Sequence, residues 1–163
     1  ESSMPCANVV RAMPNTPAKI ESGVTGISAG AQCTPEALDQ ARDLLSSVGV
    51  VVEVPEALQD AVTAVSGSGP AYLFYLAEAM IDGACELGMP PDTARASVVH
   101  TLLGAARLLE ASGEEPAALR AKVTSPGGTT AAAIAVLDAE DVQRSVRTAI
   151  ESARDRSREL SKG

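Results

Sequence analysis

The sequence predicts a mostly helical chain with a small β part confined to its first third. Aromatic residues make up 2% of 163 residues while alanine is abundant, so core volume has to come from Ala, Val, Leu and Ile on closely approaching helices. Strand-like runs occur only ahead of Pro55. Beyond it, helix start and stop signals recur at about helix-length intervals to the C-terminus.

Taken in order, Asn8 to Met13 is an apolar, β-branched run that Pro14 and Pro17 break, which reads as a strand entering a loop. Gly23 to Ser28 alternates with period two, and Val50 to Val54 is a second β-branched run; both are strand candidates. The helix between them has Thr34 as N-cap, Pro35 at its first position, Glu36 in the first turn, an apolar stripe of Leu38, Ala41, Leu44 and Leu45, and Gly49 beyond its end. Three strands and one helix are too few for an independent α/β domain, because a parallel sheet needs cover on both faces. Residues 1–54 therefore read as the last third of a larger domain, and the start at Glu1 rather than Met points the same way. Residues 55–163 form the helical part, with helices expected near 56–64, 69–88, 91–112, 115–122, 126–138 and 140–160. Ala71 to Ile81 is apolar almost all round its helical wheel, which calls for burial on every side and hence for a partner subunit. In the last helix a stripe of Val142, Val146 and Ile150 is flanked by alternating charges, the pattern of a solvated face.

The net charge of −8 argues against nucleic acid and anionic membrane as partners, since both demand a surplus of Lys and Arg on one face. No apolar run is long enough to cross a bilayer and no signal-peptide pattern opens the chain, which makes a cytoplasmic protein the expectation. Cys6, Cys33 and Cys85 lack CxxC spacing and stand far from the single His100, so they read as reduced thiols, with no metal site. One His, in a predicted helix, also leaves no Ser/His/Asp or Cys/His constellation to assemble.

Local chemistry concentrates in Val123 to Thr130. Ser125 suits an N-cap and Pro126 the first helical position, which leaves Gly127 and Gly128 in the first turn, where each costs about 1 kcal/mol against Ala. Bare backbone N–H groups at a helix start make an anion site, and the hydroxyls of Ser125, Thr129 and Thr130 add neutral donors. The alternative is a tight turn whose glycines permit close packing. Ser66-Gly67-Ser68-Gly69-Pro70 is no Walker loop, for it lacks the Lys; a capped helix start is the simpler account. In Glu56 to Thr63, positions 56, 60 and 63 share a helix face, so Glu56 and Thr63 face one cavity, or else Glu56 and Asp60 are first-turn acids suited to the dipole.

Three motifs together resemble the pyrroline-5-carboxylate reductases: Arg11-Ala12-Met13-Pro14-Asn15-Thr16-Pro17, Asp60 to Tyr72, and Val123 to Thr130. Their order and spacing fit over essentially the whole chain. The resemblance implies a Rossmann domain, of which residues 1–54 are the C-terminal remnant, and a helical domain that interlocks with its copy in a homodimer, with higher assembly left open. It implies reduction of Δ1-pyrroline-5-carboxylate to L-proline by hydride from NADPH or NADH, the last step of proline biosynthesis. It also implies that this chain, which contains no glycine-rich dinucleotide fingerprint, presents half a site and is inactive alone. By the same resemblance Ser125, Gly127, Gly128, Thr129 and Thr130 hold the substrate carboxylate, Thr63 contacts the ring nitrogen as catalytic residue, Glu56 lines the substrate, and Met13, Pro14 and Asn15 border the nicotinamide. A Thr hydroxyl is a weak acid, so positioning and proton relay suit Thr63 better than service as sole acid. A hydroxyacid-type dehydrogenase is a weaker match, because no Lys lies between Lys19 and Lys122. The rival from another class is a helical dimerisation or scaffold module with no catalytic role.

Overall fold

The computed structural model describes residues 8–161; Cys6 lies outside them. The chain divides into two compact units, one comprising the chain up to Tyr72 together with Thr148 onward, the other Leu73–Arg147. Strands β1 (Val10–Met13), β2 (Gly23–Ala29) and β3 (Gly49–Glu53) form a mixed sheet in the order β1-β2-β3. β1 runs antiparallel to β2, with Val10 opposite Ala29 and Met13 opposite Gly26. β2 and β3 are parallel, from Gly23 opposite Gly49 to Ile27 opposite Glu53, and helix α1 (Pro35–Ser46) makes the crossover that parallel neighbours require.

The expected cap of α1 is present: the Thr34 side chain accepts from Ala37 N–H at 3.3 Å. Arg42 on α1 bonds Asp39 and, at 2.6 Å, Glu53 of β3, which ties the helix to the strand it feeds. The sheet's other face takes the helical run that starts at Glu56. A Cβ on Gly26 would stand 2.6 Å from Cγ1 of Val62, so the lack of a side chain in β2 is what lets the helix lie this close.

That run departs from the single helix expected at 56–64. A 3₁₀ turn (Glu56–Leu58) leads into α2 (Gln59–Val62), and a π-helical turn follows (Thr63–Gly67). Helix α3 (Gly69–Glu86) opens directly behind it. The Ser-Gly-Ser-Gly-Pro cluster thus accommodates a change of helical pitch rather than a clean break.

In the second unit, α3 continues and is followed by α4 (Pro91–Ser112), α5 (Pro116–Lys122), α6 (Thr129–Ala139) and the first turns of α7 (Val142–Leu160). Ends are set by left-handed residues, Gly113 after α4 and Asp141 (φ 48°) between α6 and α7, so the last helix starts two residues later than expected. Only Ala94 and Val98 are buried apolar residues here, while Phe74 and Tyr75 of α3 are 68% and 77% exposed. The mostly helical chain with a small sheet is as the composition indicated. So is the unsatisfied apolar surface of α3.

Candidate functional site

In the first unit the candidate residue Thr63 stands on the π-helical turn. Thr63 opens it, half-buried, with its hydroxyl donating to Gln59 O at 3.0 Å and its carbonyl accepting from Ser68 N–H at 2.8 Å. The second bond spans five residues, the signature of π geometry, and such single turns inside longer helices recur at functional sites. Behind Thr63, fully buried Gln59 donates from Nε2 to Ser28 Oγ at 2.7 Å, and Ser28 Oγ donates to Val54 O at 2.7 Å. The helix carrying Thr63 is thereby bonded to the sheet. Oε1 of Gln59 is buried without a protein partner.

Met13, at the end of β1, and Asn15, in the loop after it, meet this turn. Asn15 donates from Nδ2 to Ser66 O at 3.1 Å and accepts Val24 N–H on Oδ1 at 2.9 Å. The Met13 methyl lies against Gly67, where a Cβ would approach it to 2.8 Å. Two of the three residues read as nicotinamide neighbours therefore have internal partners, and Pro14 is exposed between them. These residues do not by themselves form a dinucleotide cradle.

Glu56 stands at the start of the run, on its 3₁₀ turn. The 3₁₀ start turns it toward β1, where it pairs with Arg11 and helps line a groove of about 460 Å³ with Val9, Ser28 and Gly30; Thr63 is not in that lining. Positions 56, 60 and 63 share a face only at 100° per residue, and the 3₁₀ turn at Glu56–Leu58 breaks that register. Asp60 accepts from Ser157 Oγ at 2.6 Å and has Arg158 at 3.9 Å, so it fastens the C-terminal helix rather than serving only the dipole.

In the second unit, Ser125 to Gly128 is a turn and not the first turn of a helix. Gly128 N–H bonds Ser125 O at 3.0 Å, Pro126 and Gly127 occupy its corners, and Gly127 has φ 71°, the type II signature. Helix α6 starts at Thr129 with Gly128 as N-cap and no side-chain cap, which corrects the assignment of Ser125 as N-cap. The error came from reading Ser-Pro as a helix start when the following pair of glycines made it a turn. What survives is a helix N-terminus at Thr129 and Thr130, whose early N–H groups have no intrahelical acceptor. Ser125 lies beside it: a Cβ on Gly128 would stand 2.5 Å from Ser125 Oγ, so a side chain there would turn that hydroxyl away.

His100 is exposed on α4, and Cys33 and Cys85 are free thiols. Among the described residues no group of three or more His, Cys, Asp and Glu could hold a metal, and no helix is long and apolar enough to cross a membrane. Sequence reasoning missed Gln59, Ser28 and Tyr72. The available signal for Gln59 was a lone amide at a position that the apolar spacing of Leu58, Ala61 and Val62 would bury.

A mixed-sheet segment running into a helical segment that leaves apolar faces open is the class of chain this fold defines. Residues 56–160 match the family model described as pyrroline-5-carboxylate reductase dimerisation, and the chain belongs to that family. Pyrroline-5-carboxylate reductases of Synechocystis and Corynebacterium melassecola are each 45% identical to it over 162 residues, 99% of this chain and 61% and 60% of theirs. A solved pyrroline-5-carboxylate reductase of Coxiella burnetii superposes with TM-score 0.92 at 38% identity, over 96% of this chain and 58% of that one. The Plasmodium falciparum pyrroline carboxylate reductase, solved with NADP bound, gives TM-score 0.87 at 28% identity over 92% and 60%. The chain thus spans about 60% of the length of the relatives it matches.

Proposed function

We propose that this chain is the substrate-binding and dimerising part of a cytoplasmic reductase that converts Δ1-pyrroline-5-carboxylate to L-proline, with residues 1–54 belonging to its nucleotide-binding domain and 55–163 to its helical domain. The observation that carries the reading is the glycine turn of Ser125 to Gly128 leading into the open N-terminus of α6, in a chain of this family. A five-membered ring acid brings one carboxylate and one ring nitrogen. The N–H groups at Thr129 and Thr130, with the positive end of the α6 dipole and the Ser125 hydroxyl, suit the carboxylate. Gly127 and Gly128 let it approach the backbone. Thr63 orients the ring nitrogen and passes a proton from water, while Glu56, paired with Arg11, lines the approach.

NADPH or NADH supplies the hydride in this reading. Pro14, exposed beside Met13 and Asn15, borders the nicotinamide, and this chain's own contribution is orientation of the substrate. Self-association as a homodimer covers α3. The apolar exposure of that helix alone also supports the rival reading, a dimerisation module without chemistry.

Isothermal titration with L-proline, on the full-length protein shown to be folded, separates the two. Binding that is lost in Gly128→Trp, whose side chain must displace Ser125, is the expected result. An unaltered, folded chain that takes up no L-proline would sink the carboxylate cradle and leave the dimerisation module.

A further inference from the structure

A π-helical turn withdraws backbone acceptors from the helix, and here two of them are met by side chains from elsewhere in the first unit. In an α-helix the N–H of Ser68 would bond Ala64 O; it bonds Thr63 O instead, and the buried Ala64 carbonyl accepts the hydroxyl of Tyr72 at 3.0 Å. The carbonyl of Ser66 would receive the N–H of residue 70, which is Pro70 and has none; it accepts Nδ2 of Asn15 at 3.1 Å. Each side chain thus supplies the donor that π pitch or proline removes. A buried carbonyl left without one carries its full desolvation cost, so the Tyr72 bond supports this pitch by filling the acceptor it frees, while the Asn15 bond, needed at either pitch because Pro70 has no N–H, ties the turn to the loop after β1. A slip of one residue would rotate Thr63 by roughly 100° relative to α3.

We infer that Asn15 and Tyr72 are positioning residues that fix the direction of Thr63 by satisfying the two carbonyls of its π-helical turn. The inference rests on the proposed role of Thr63 at the substrate nitrogen. Nothing in it requires either side chain to touch the substrate.

The test is a double-mutant cycle on the full-length protein, with turnover of Δ1-pyrroline-5-carboxylate and the KM for NADPH measured for Tyr72→Phe and Asn15→Asp. Each variant is made in the unaltered protein and in the Thr63→Ala background. Asn15→Asp keeps an acceptor for Val24 N–H but sets a carboxylate oxygen, with its charge, where the donor to Ser66 O stood. Phenylalanine keeps the ring and loses only the hydroxyl. Positioning predicts a fall in kcat of roughly tenfold for each single variant, the scale of one lost bond to a buried group, with little change in the KM for NADPH under Tyr72→Phe. In the Thr63→Ala background the same substitutions should have almost no further effect on kcat. Equal falls in both backgrounds, or unchanged turnover in both variants, would overturn the inference and leave the role of Thr63 standing. No turnover by the unaltered protein, or an unaffected Thr63→Ala variant, would remove the proposed role itself and the inference with it.

Discussion

At the scale of single residues, the glycines of this chain divide by what demands them. Gly127 needs its backbone angle: at φ 71° a Cβ is strained, and Gly127→Ala should lower stability by about 1 kcal/mol, visible as a melting temperature reduced by a few degrees. Gly26 needs space instead. Gly26→Val would drive Cβ into Val62 and should cost about 1–3 kcal/mol, read in urea denaturation as a lower midpoint at unchanged slope. The sequence marked both as glycines without saying which constraint applied. A turn angle can be read from neighbours such as Pro126, whereas a close approach between β2 and α2 is set by residues 36 positions apart and has no local signal.

Elements were most legible where their ends are chemical. The N-cap of α1 is where Thr34-Pro35 put it, and Thr34→Ala should cost about 1 kcal/mol, with faster amide exchange confined to the first turn of that helix. The start of α6 was misplaced, because Ser-Pro and Gly-Gly compete for one stretch and the turn prevailed. Helix 56–64 was found but its pitch was not. Three geometries within Glu56–Gly67 depend on which carbonyls find side-chain donors, and Asn15 and Tyr72, which supply two, lie outside the stretch. The pairing of Glu56 with Arg11 was not foreseen for that reason, while Thr63 sits on the element where it was expected.

For the whole molecule, the shortage of enclosed apolar residues is the governing fact. Ala94 and Val98 are the buried apolar residues of the second unit among those described, against Leu73, Phe74, Tyr75 and Leu76 exposed along one helix. Stability that depends on covering such surface with another copy follows mass action, so the melting temperature should rise with protein concentration over a hundredfold dilution series. A melting temperature independent of concentration would count against self-association. The open apolar surface of α3 was legible in the sequence because that helix has no polar face. What covers it was not, since no local pattern encodes the covering surface. The separation of parts also bears on cells that carry a normal and an altered copy of the gene. With Thr63 in the proposed site and α3 on the proposed self-association surface, an alteration at Thr63 would leave that surface intact and let altered chains enter assemblies beside normal ones, a dominant effect, whereas one that spoils α3 would exclude its own product and be recessive.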